Sequence, residues 1–160
     1  RSTLDRSSAA SDVYKRQGRL SRVYNKKVLL RISMETIKKK LLDFGVLEVK
    51  THNGKEHWKP REHRKIICND NLEILQKYNY TIRGFHNYYA IANNSSLLNS
   101  YKYIMEYSMY KTFAGKYKSK VSKIARKYKQ DGLFTVQYQG SKGGEKQQTF
   151  YNESFSRRKT

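Results

Sequence analysis

Between Leu72 and Tyr89 an apolar residue returns every three or four positions: Leu72, Leu75, Tyr78, Ile82, Phe85 and Tyr89. Five turns with that period describe an amphipathic helix with one buried face, and such a face needs a second apolar surface to pack against. Asp70 with Glu73 three residues on has the form of a capping box and marks the start. Asn93-Asn94-Ser95-Ser96 interrupts the period and is predicted to cap a following helix. Its inward positions run through Leu97, Tyr101, Ile104, Met105, Ser108 and Thr112, and it closes near Gly115. A fourth, short helix is predicted after Ser119, with Val121, Ile124, Ala125 and Tyr128 inward, ending before Gly132.

Upstream, Ser33 is placed to cap a helix carrying Met34, Ile37, Leu41 and Phe44, and Gly45 supplies the left-handed residue that ends it. Asn53-Gly54 between two apolar-containing runs predicts a β-hairpin over 46–59. Pro60 and the charged run Arg61 to Lys65 predict a linker over 60–69. Near the end, Phe134, Val136 and Tyr138 alternate with polar residues, and Gly140 to Gly144 can turn that strand onto Gln147–Tyr151, a second hairpin over 133–151. The expected fold is mainly α: a small bundle of three to four helices with short β-hairpins at 46–59 and 133–151. The expected organisation is a helix-plus-hairpin unit at 18–59, a linker at 60–69 and a helical domain at 70–160, truncated at its C-terminus. Residues 1–17 carry no apolar period, and Asp12–Gln17 resemble the translation of a transposon-end sequencing adapter. They are expected to be a disordered assembly scar. Arg157-Arg158-Lys159-Thr160 closes no element, so a longer gene product is expected.

Charge narrows the function. Lys and Arg number 34 against 13 Asp and Glu, a net charge of +21. The first 17 residues hold four cations and two acids, so +19 remains without them. Mean hydropathy is −0.93 and no run approaches the ~18 apolar residues of a membrane-spanning helix. Fourteen tyrosines are more aromatic material than a disordered polycation carries. The single cysteine, Cys68, excludes an internal disulfide framework and a four-cysteine zinc site. A compact, tyrosine-rich cationic domain of this kind suits a polyanionic partner.

The cations cluster. From Lys116 to Lys129 there is no acid, and Lys116, Lys120, Lys123 and Lys127 recur at helical steps that predict one face of the fourth helix, widened by Lys118, Arg126 and Lys129. A one-sign stripe repels itself unless an anion neutralises it, whereas ordinary solvated faces mix signs. The helix lacks the Trp and Leu density of an interfacial membrane helix, which favours nucleic acid. Tyr78, Tyr89, Tyr101 and Tyr128 fall on apolar stripes and are predicted core residues. Tyr80, Tyr103, Tyr110 and Tyr117 fall off them and are candidates for stacking on unpaired bases. Arg83 and Asn87 share a helix face; Arg83 suits either a phosphate or a structural neighbour, and Asn87 suits bracing a helix.

Catalytic patterns are missing. His52, His57, His63 and Cys68 match no common zinc spacing. There is no Gly-x-Ser-x-Gly and no phosphate-binding glycine loop. Acids between Asp43 and Glu153 stand singly among cations, and His86 beside Arg83 and Asn87 reads as a packed or solvated side chain.

Arg83-Gly84-Phe85-His86-Asn87-Tyr88-Tyr89 and Lys111-Thr112-Phe113-Ala114-Gly115-Lys116-Tyr117-Lys118 resemble the maturase domain, called X, of group II intron reverse transcriptases. Glu73 to Asn79 and the helix Leu97–Tyr110 fit the same pattern, and Val28 to Gly45 resembles the end of the preceding polymerase thumb. Phe113 stands where the family has Leu, a volume-tolerant change, and Gly115 where a helix former is usual. The resemblance implies an RNA-binding maturase module whose partner is group II intron RNA, with target DNA reached through the intact parent. It implies no membrane and no small-molecule substrate. RNA contacts are implied for Arg83, Lys111, Lys116, Tyr117, Lys118, Lys120, Lys123, Arg126 and Lys127. A structural role is implied for Gly84, Asn87, Tyr88, Tyr89, Thr112 and Ala114, with Asn87, Tyr88 and Tyr89 bracing the helix pair. No cofactor is expected here; Mg2+ is implied only for the intact polymerase and the ribozyme. The polymerase palm would lie upstream of residue 18, so the fragment is expected to be no enzyme. The implied setting is a bacterial cytoplasmic ribonucleoprotein, with an organelle also compatible. The alternative reading is a general, ribosomal-protein-like nucleic-acid-binding domain without intron specificity.

Overall fold

The computed structural model describes residues 11–16, 19–24, 30–140 and 143–155. Residues 1–10 of the expected scar, together with Gln17, Val28-Leu29 and Arg157–Thr160, lie outside the described residues. Disorder is expected through residue 17, but Ser11–Arg16 (β1) pairs antiparallel with Arg19–Tyr24 (β2), from Ser11 opposite Tyr24 to Arg16 opposite Arg19. The aperiodic reading missed the Val-Tyr pair in each run, residues that favour strands.

Helix α1 spans Met34–Phe44. Ser33 caps it by accepting from the Thr36 amide at 3.1 Å, and the Gly45 N–H closes it onto the Leu41 and Leu42 carbonyls. Strands β3 (Leu47–His52) and β4 (Lys55–Pro60) form the expected first hairpin. Asn53 and Gly54 both take positive φ, +50° and +74°, as a two-residue turn between twisted strands demands.

The expected linker is not a linker. After β4 the chain runs along α3 (Leu98–Lys116), with His63 and Ile66 buried and a 3₁₀ turn at Arg64–Ile66. One core cluster takes in Ile37, Leu41 and Val46 from before this segment and Ile74, Tyr78 and Phe113 from after it, so the two expected units share an interior. Charge suggested a solvated boundary at 60–69. The Pro60, Arg61 and Asn69 carbonyls and the His63 amide there are instead bonded to α3 side chains, while Arg64, Lys65, Cys68 and Asn69 face out.

Helix α2 spans Asn71–Tyr89, capped by Asp70, whose carboxylate accepts from the Leu72 amide at 3.1 Å. The Asn93–Ser96 break is as expected, but its asparagines cap nothing on α3. The Asn93 side chain accepts from Leu30 N (3.2 Å), and Asn94 accepts from Ile32 N and donates to Ile32 O, both at 2.8 Å. They fasten the segment entering α1, while a 3₁₀ turn at Ser95–Leu97 leads into α3. Helix α4 is Val121–Tyr128, with Ile124 buried. Asp131-Gly132 then turns the short strand β5 (Lys129–Gln130) onto β6 (Leu133–Gln139), and β6 pairs with β7 (Glu145–Thr149).

Two polar devices hold these parts in register. In the core, the Tyr78 hydroxyl meets Ser108 Oγ at 2.8 Å and Thr112 Oγ1 at 3.0 Å. Ser108 Oγ donates to Arg61 O, Thr112 Oγ1 donates to Ser108 O, and the His63 amide donates to Thr112 Oγ1. Three hydroxyl protons serve four such contacts, so Tyr78 shares one proton between Ser108 and Thr112. Burial pushes this phenol up to about 12, against the opposing pull of its two hydroxyl partners. At the tail, the buried Asn79 side chain donates to Thr149 O (2.8 Å) and accepts from Tyr151 N (2.9 Å), so the carboxamide completes the end of β7 as a further strand residue would. Phe150, Tyr151 and Phe155 are buried beyond it, supplying the apolar area that the hairpin's Gln and Lys side chains do not.

Asn79→Ala removes both bonds and strands two backbone groups. At about 1 kcal/mol each, the loss in urea denaturation is expected near 2 kcal/mol, with faster amide exchange at 145–151. His63 packs edge-on to Phe44 with ring centroids 4.6 Å apart. Burial depresses its pKa; its own backbone hydrogen bond raises it, and the Lys65 and Lys77 charges lower it further. The folded state therefore resists the proton that the unfolded chain takes up near 6.5. Its contribution to stability is complete above pH 6.5 and lost as pH falls towards the lower folded value. The Tm difference between wild type and His63→Gln is expected to shrink between pH 7.5 and 5; a difference independent of pH would show that His63 does not titrate in this way.

Candidate nucleic-acid interface

The cationic segment is built at the junction of α3 and α4. Tyr117 ends α3 with its amide on Phe113 O at 3.0 Å, and Lys118 takes φ +46°, a left-handed turn that reverses the chain. Lys120 then stands at the N-cap of α4 with no side-chain cap, and Lys123 lies in the first turn. Cations at a helix N-terminus oppose the macrodipole, so this placement disfavours the free helix by a few tenths of a kcal/mol or more. Lys118, Lys120, Lys123, Arg126, Lys127 and Lys129 are exposed. Among the described residues the ion pairs are Lys38–Glu56, Lys50–Glu48, Arg64–Glu62 and His86–Glu153, none of which uses this segment.

The predicted stripe needs one correction. Lys116 belongs to α3, not α4, and its ammonium donates to Asn69 O. Lys111 is likewise engaged, donating to Pro60 O at 2.7 Å beside the Tyr107 ring. Together with neighbouring residues they make a zipper. Lys111 holds Pro60, Thr112 holds His63, Lys116 holds Asn69, and the Tyr117 hydroxyl donates to Asn71 Oδ1 at 2.8 Å. Gly115 fits the same row: a Cβ there would lie 2.9 Å from Ile67 Cδ1. Ala114 is buried in the core beside this row. The segment at 111–117 thus fastens residues 60–71 to α3, and the free cations are those that follow it.

Tyr117 sits between these roles. It is 41% exposed and forms the outer end of a stack with Tyr128 (6.4 Å, 29°), which in turn stacks on buried Phe134 (5.1 Å, 23°). Lys116 and Lys127 lie over its ring at 5.8 and 5.6 Å. Burial raises its phenol, but hydrogen bonds with Tyr128 and Asn71 and the two lysine charges outweigh that and leave the pKa lowered. The phenol of Tyr128 is raised, first by burial and then by Tyr117.

Other expected residues lie elsewhere. Arg83 is about 18 Å along α2 from Asn71 (twelve residues) and leans over the Tyr151 ring at 5.9 Å, apart from the lysine cluster. Asn87 and Tyr88 are exposed, Tyr88 at 76%, so neither stands between helices as the bracing reading had it. Tyr89 is half-buried against Phe85. Between α2 and α3 the polar link is Tyr78 to Ser108 and Thr112, and Asn79, two turns before Asn87, ties α2 to the tail strand; sequence reasoning missed both links. Tyr80 and Tyr103 are exposed as expected of stacking candidates, at 65% and 63%, whereas Tyr110 is buried against Phe134. His52 and His57 face each other across the first hairpin, away from buried His63, and Cys68 is exposed. Among the described residues no three His, Cys, Asp or Glu side chains gather as metal ligands. Nor, among them, is any helix long and apolar enough to cross a membrane.

A cationic helical domain with this zipper has known relatives. The family model described as type II intron maturase matches residues 25–160, and the chain belongs to that family. It is 38% identical over 98 residues to the group II intron-encoded protein LtrA of Lactococcus lactis subsp. cremoris, and equally to that of strain MG1363. The match covers 61% of this chain but 16% of each relative, so the chain spans a small part of the proteins it resembles.

Gly84 is exposed inside α2, and a Cβ there would meet nothing within 4 Å. Gly84→Ala is therefore expected to stabilise the free protein by about 1 kcal/mol, a Tm rise of roughly 2–4 °C in calorimetry.

Proposed function

We propose that this chain is the RNA-binding module of a group II intron maturase, holding intron RNA in its splicing-competent fold. The carrying observation is the exposed cluster after the zipper: Lys118, Lys120, Lys123, Arg126, Lys127 and Lys129, beside exposed Tyr117, with no acid between Lys116 and Lys129. Such a cluster neutralises crowded phosphates and releases their counterions, while an exposed ring offers a stacking face to an unpaired base. The family supports an intron as the partner, and the relatives are by name intron-encoded proteins. The transesterifications, with the magnesium they need, fall to the RNA; this chain contributes binding and shape recognition. Reverse transcription and target-DNA contacts belong to the longer parent, and a bacterial ribonucleoprotein is the proposed setting.

Changing Lys120, Lys123, Arg126 and Lys127 to Gln is expected to leave the circular dichroism unchanged while flattening the dependence of log K on log salt. At about 0.7 per phosphate of single-stranded RNA, four contacts lower the slope by roughly 3. An unchanged slope would make the cluster a bystander. In competition at matched salt, folded intron RNA should displace random RNA; equal affinities would favour the general nucleic-acid-coating reading.

A further inference from the structure

Helix α2 carries a second exposed feature on its outer face. Tyr80, Gly84 and Tyr88 follow one another at steps of four and so lie in one row along the helix. Tyr80 and Tyr88 are 65% and 76% exposed, large values for aromatic rings, although Tyr88 rests edge-on against Tyr89 at 4.7 Å. Between them Gly84 leaves a gap one side chain wide. Phe85 and Tyr89 form the inner wall and Lys40 of α1 stands at the margin, enclosing a hollow of about 480 Å³. That is within the ~300–1,000 Å³ of small-ligand sites. A neighbouring hollow of about 400 Å³ shares Tyr88 and Tyr89 and reaches Arg31.

The geometry points to a binding site for an unpaired nucleobase of single-stranded RNA, stacked on the tyrosine rings over Gly84. The site rests on the RNA-binding reading above but is separate from the lysine cluster, since Gly84 lies about 20 Å along α2 from Asn71 (thirteen residues), the α2 residue bonded by Tyr117 beside the cluster. Three features select this occupant. The first hollow is walled by aromatic rings, which stack on any base, rather than by the Leu and Met of a groove for an amphipathic helix. Its only charged residue is Lys40, and the second hollow adds Arg31 without an acid, so the charge complements a phosphate backbone. A glycine in the middle of a 19-residue helix weakens that helix and, with empty space around its Cα, serves no packing within the chain. It is explained if a flat partner must approach the helix backbone.

The test uses the 160-residue chain, a ten-nucleotide oligo(U) with a central 2-aminopurine, and the same strand with an abasic site at that position. Wild type is expected to quench the 2-aminopurine fluorescence and to bind the abasic strand at least about fivefold more weakly, the low end for one stacked base. Tyr80→Ala/Tyr88→Ala should abolish the quenching and bring affinity for the base-containing strand down to the abasic level, with the salt slope unchanged. Gly84→Leu should do the same by filling the gap while raising Tm. If these variants quench and bind as wild type does, the site is overturned and the lysine-cluster reading stands. If Gly84→Leu instead abolishes self-association in sedimentation and leaves RNA affinity intact, the groove belongs to a second copy of the chain. A wild-type chain that binds neither strand removes the RNA-binding reading and this site with it.

Discussion

The arrangement depends on a buried knot of hydroxyls: Tyr78 from α2, Ser108 and Thr112 from α3, and the backbone of Arg61 and His63. Apolar burial alone would let two amphipathic helices slide by a turn at little cost, because Leu, Ile and Met faces are interchangeable. Buried polar groups do not tolerate that, since each loses about 1–3 kcal/mol if its partner moves away. The knot therefore sets the register of α2 against α3, and it captures the segment after β4 in the same step. Everything downstream inherits that register, including where α3 ends and the cations begin.

Seen from the knot, the segment at 111–117 divides the labour of a short sequence by helical phase. Thr112, Phe113 and Ala114 point into the core; Lys111, Lys116 and Tyr117 reach sideways to Pro60, Asn69 and Asn71. A lysine that donates to a backbone carbonyl spends one of its three donors and keeps its charge, so the zipper adds to the positive field without offering its best geometry to a phosphate. After Lys118 turns the chain, Lys120, Lys123, Arg126 and Lys127 have no such internal acceptor among the described residues. The boundary between structural and free cations falls at the left-handed turn, not at the edge of a sequence motif.

Much of this was legible in the sequence. The four helices, the Asn53-Gly54 hairpin, the caps at Ser33 and Asp70 and the burial of Tyr78 and Tyr101 follow from periodicity and local hydrogen-bonding chemistry, both short-range. The tail hairpin was visible as alternation, but what anchors it, Asn79, is about seventy residues away and has no local signature. The same holds for the segment 60–69: its charge describes its side chains, while its fate was decided by backbone groups paired with α3. Lysine spacing places Lys116 on the wrong helix because a period of three and four continues across a turn when residues on both sides are lysines. Periodicity counts positions and is blind to a single residue at φ +46°.

In the proposed function the two exposed features would divide RNA recognition between two physical terms. Under the proposed function, phosphate contacts at the lysine cluster would be long-ranged and salt-dependent, supplying affinity and encounter rate and carrying no information about bases. A base stacked over Gly84 would act only at contact, would be insensitive to salt and would distinguish an unpaired base from one held in a helix. A domain with the first term alone would coat any RNA. One with both, the base site about 20 Å along α2 from Asn71, where Tyr117 beside the lysines is bonded, and the helix register locked by the Tyr78 knot, would favour RNAs that present a crowded backbone and a splayed base at a fixed separation. Rigid spacing, rather than the number of lysines, is what would let so strongly charged a chain prefer one folded RNA over another.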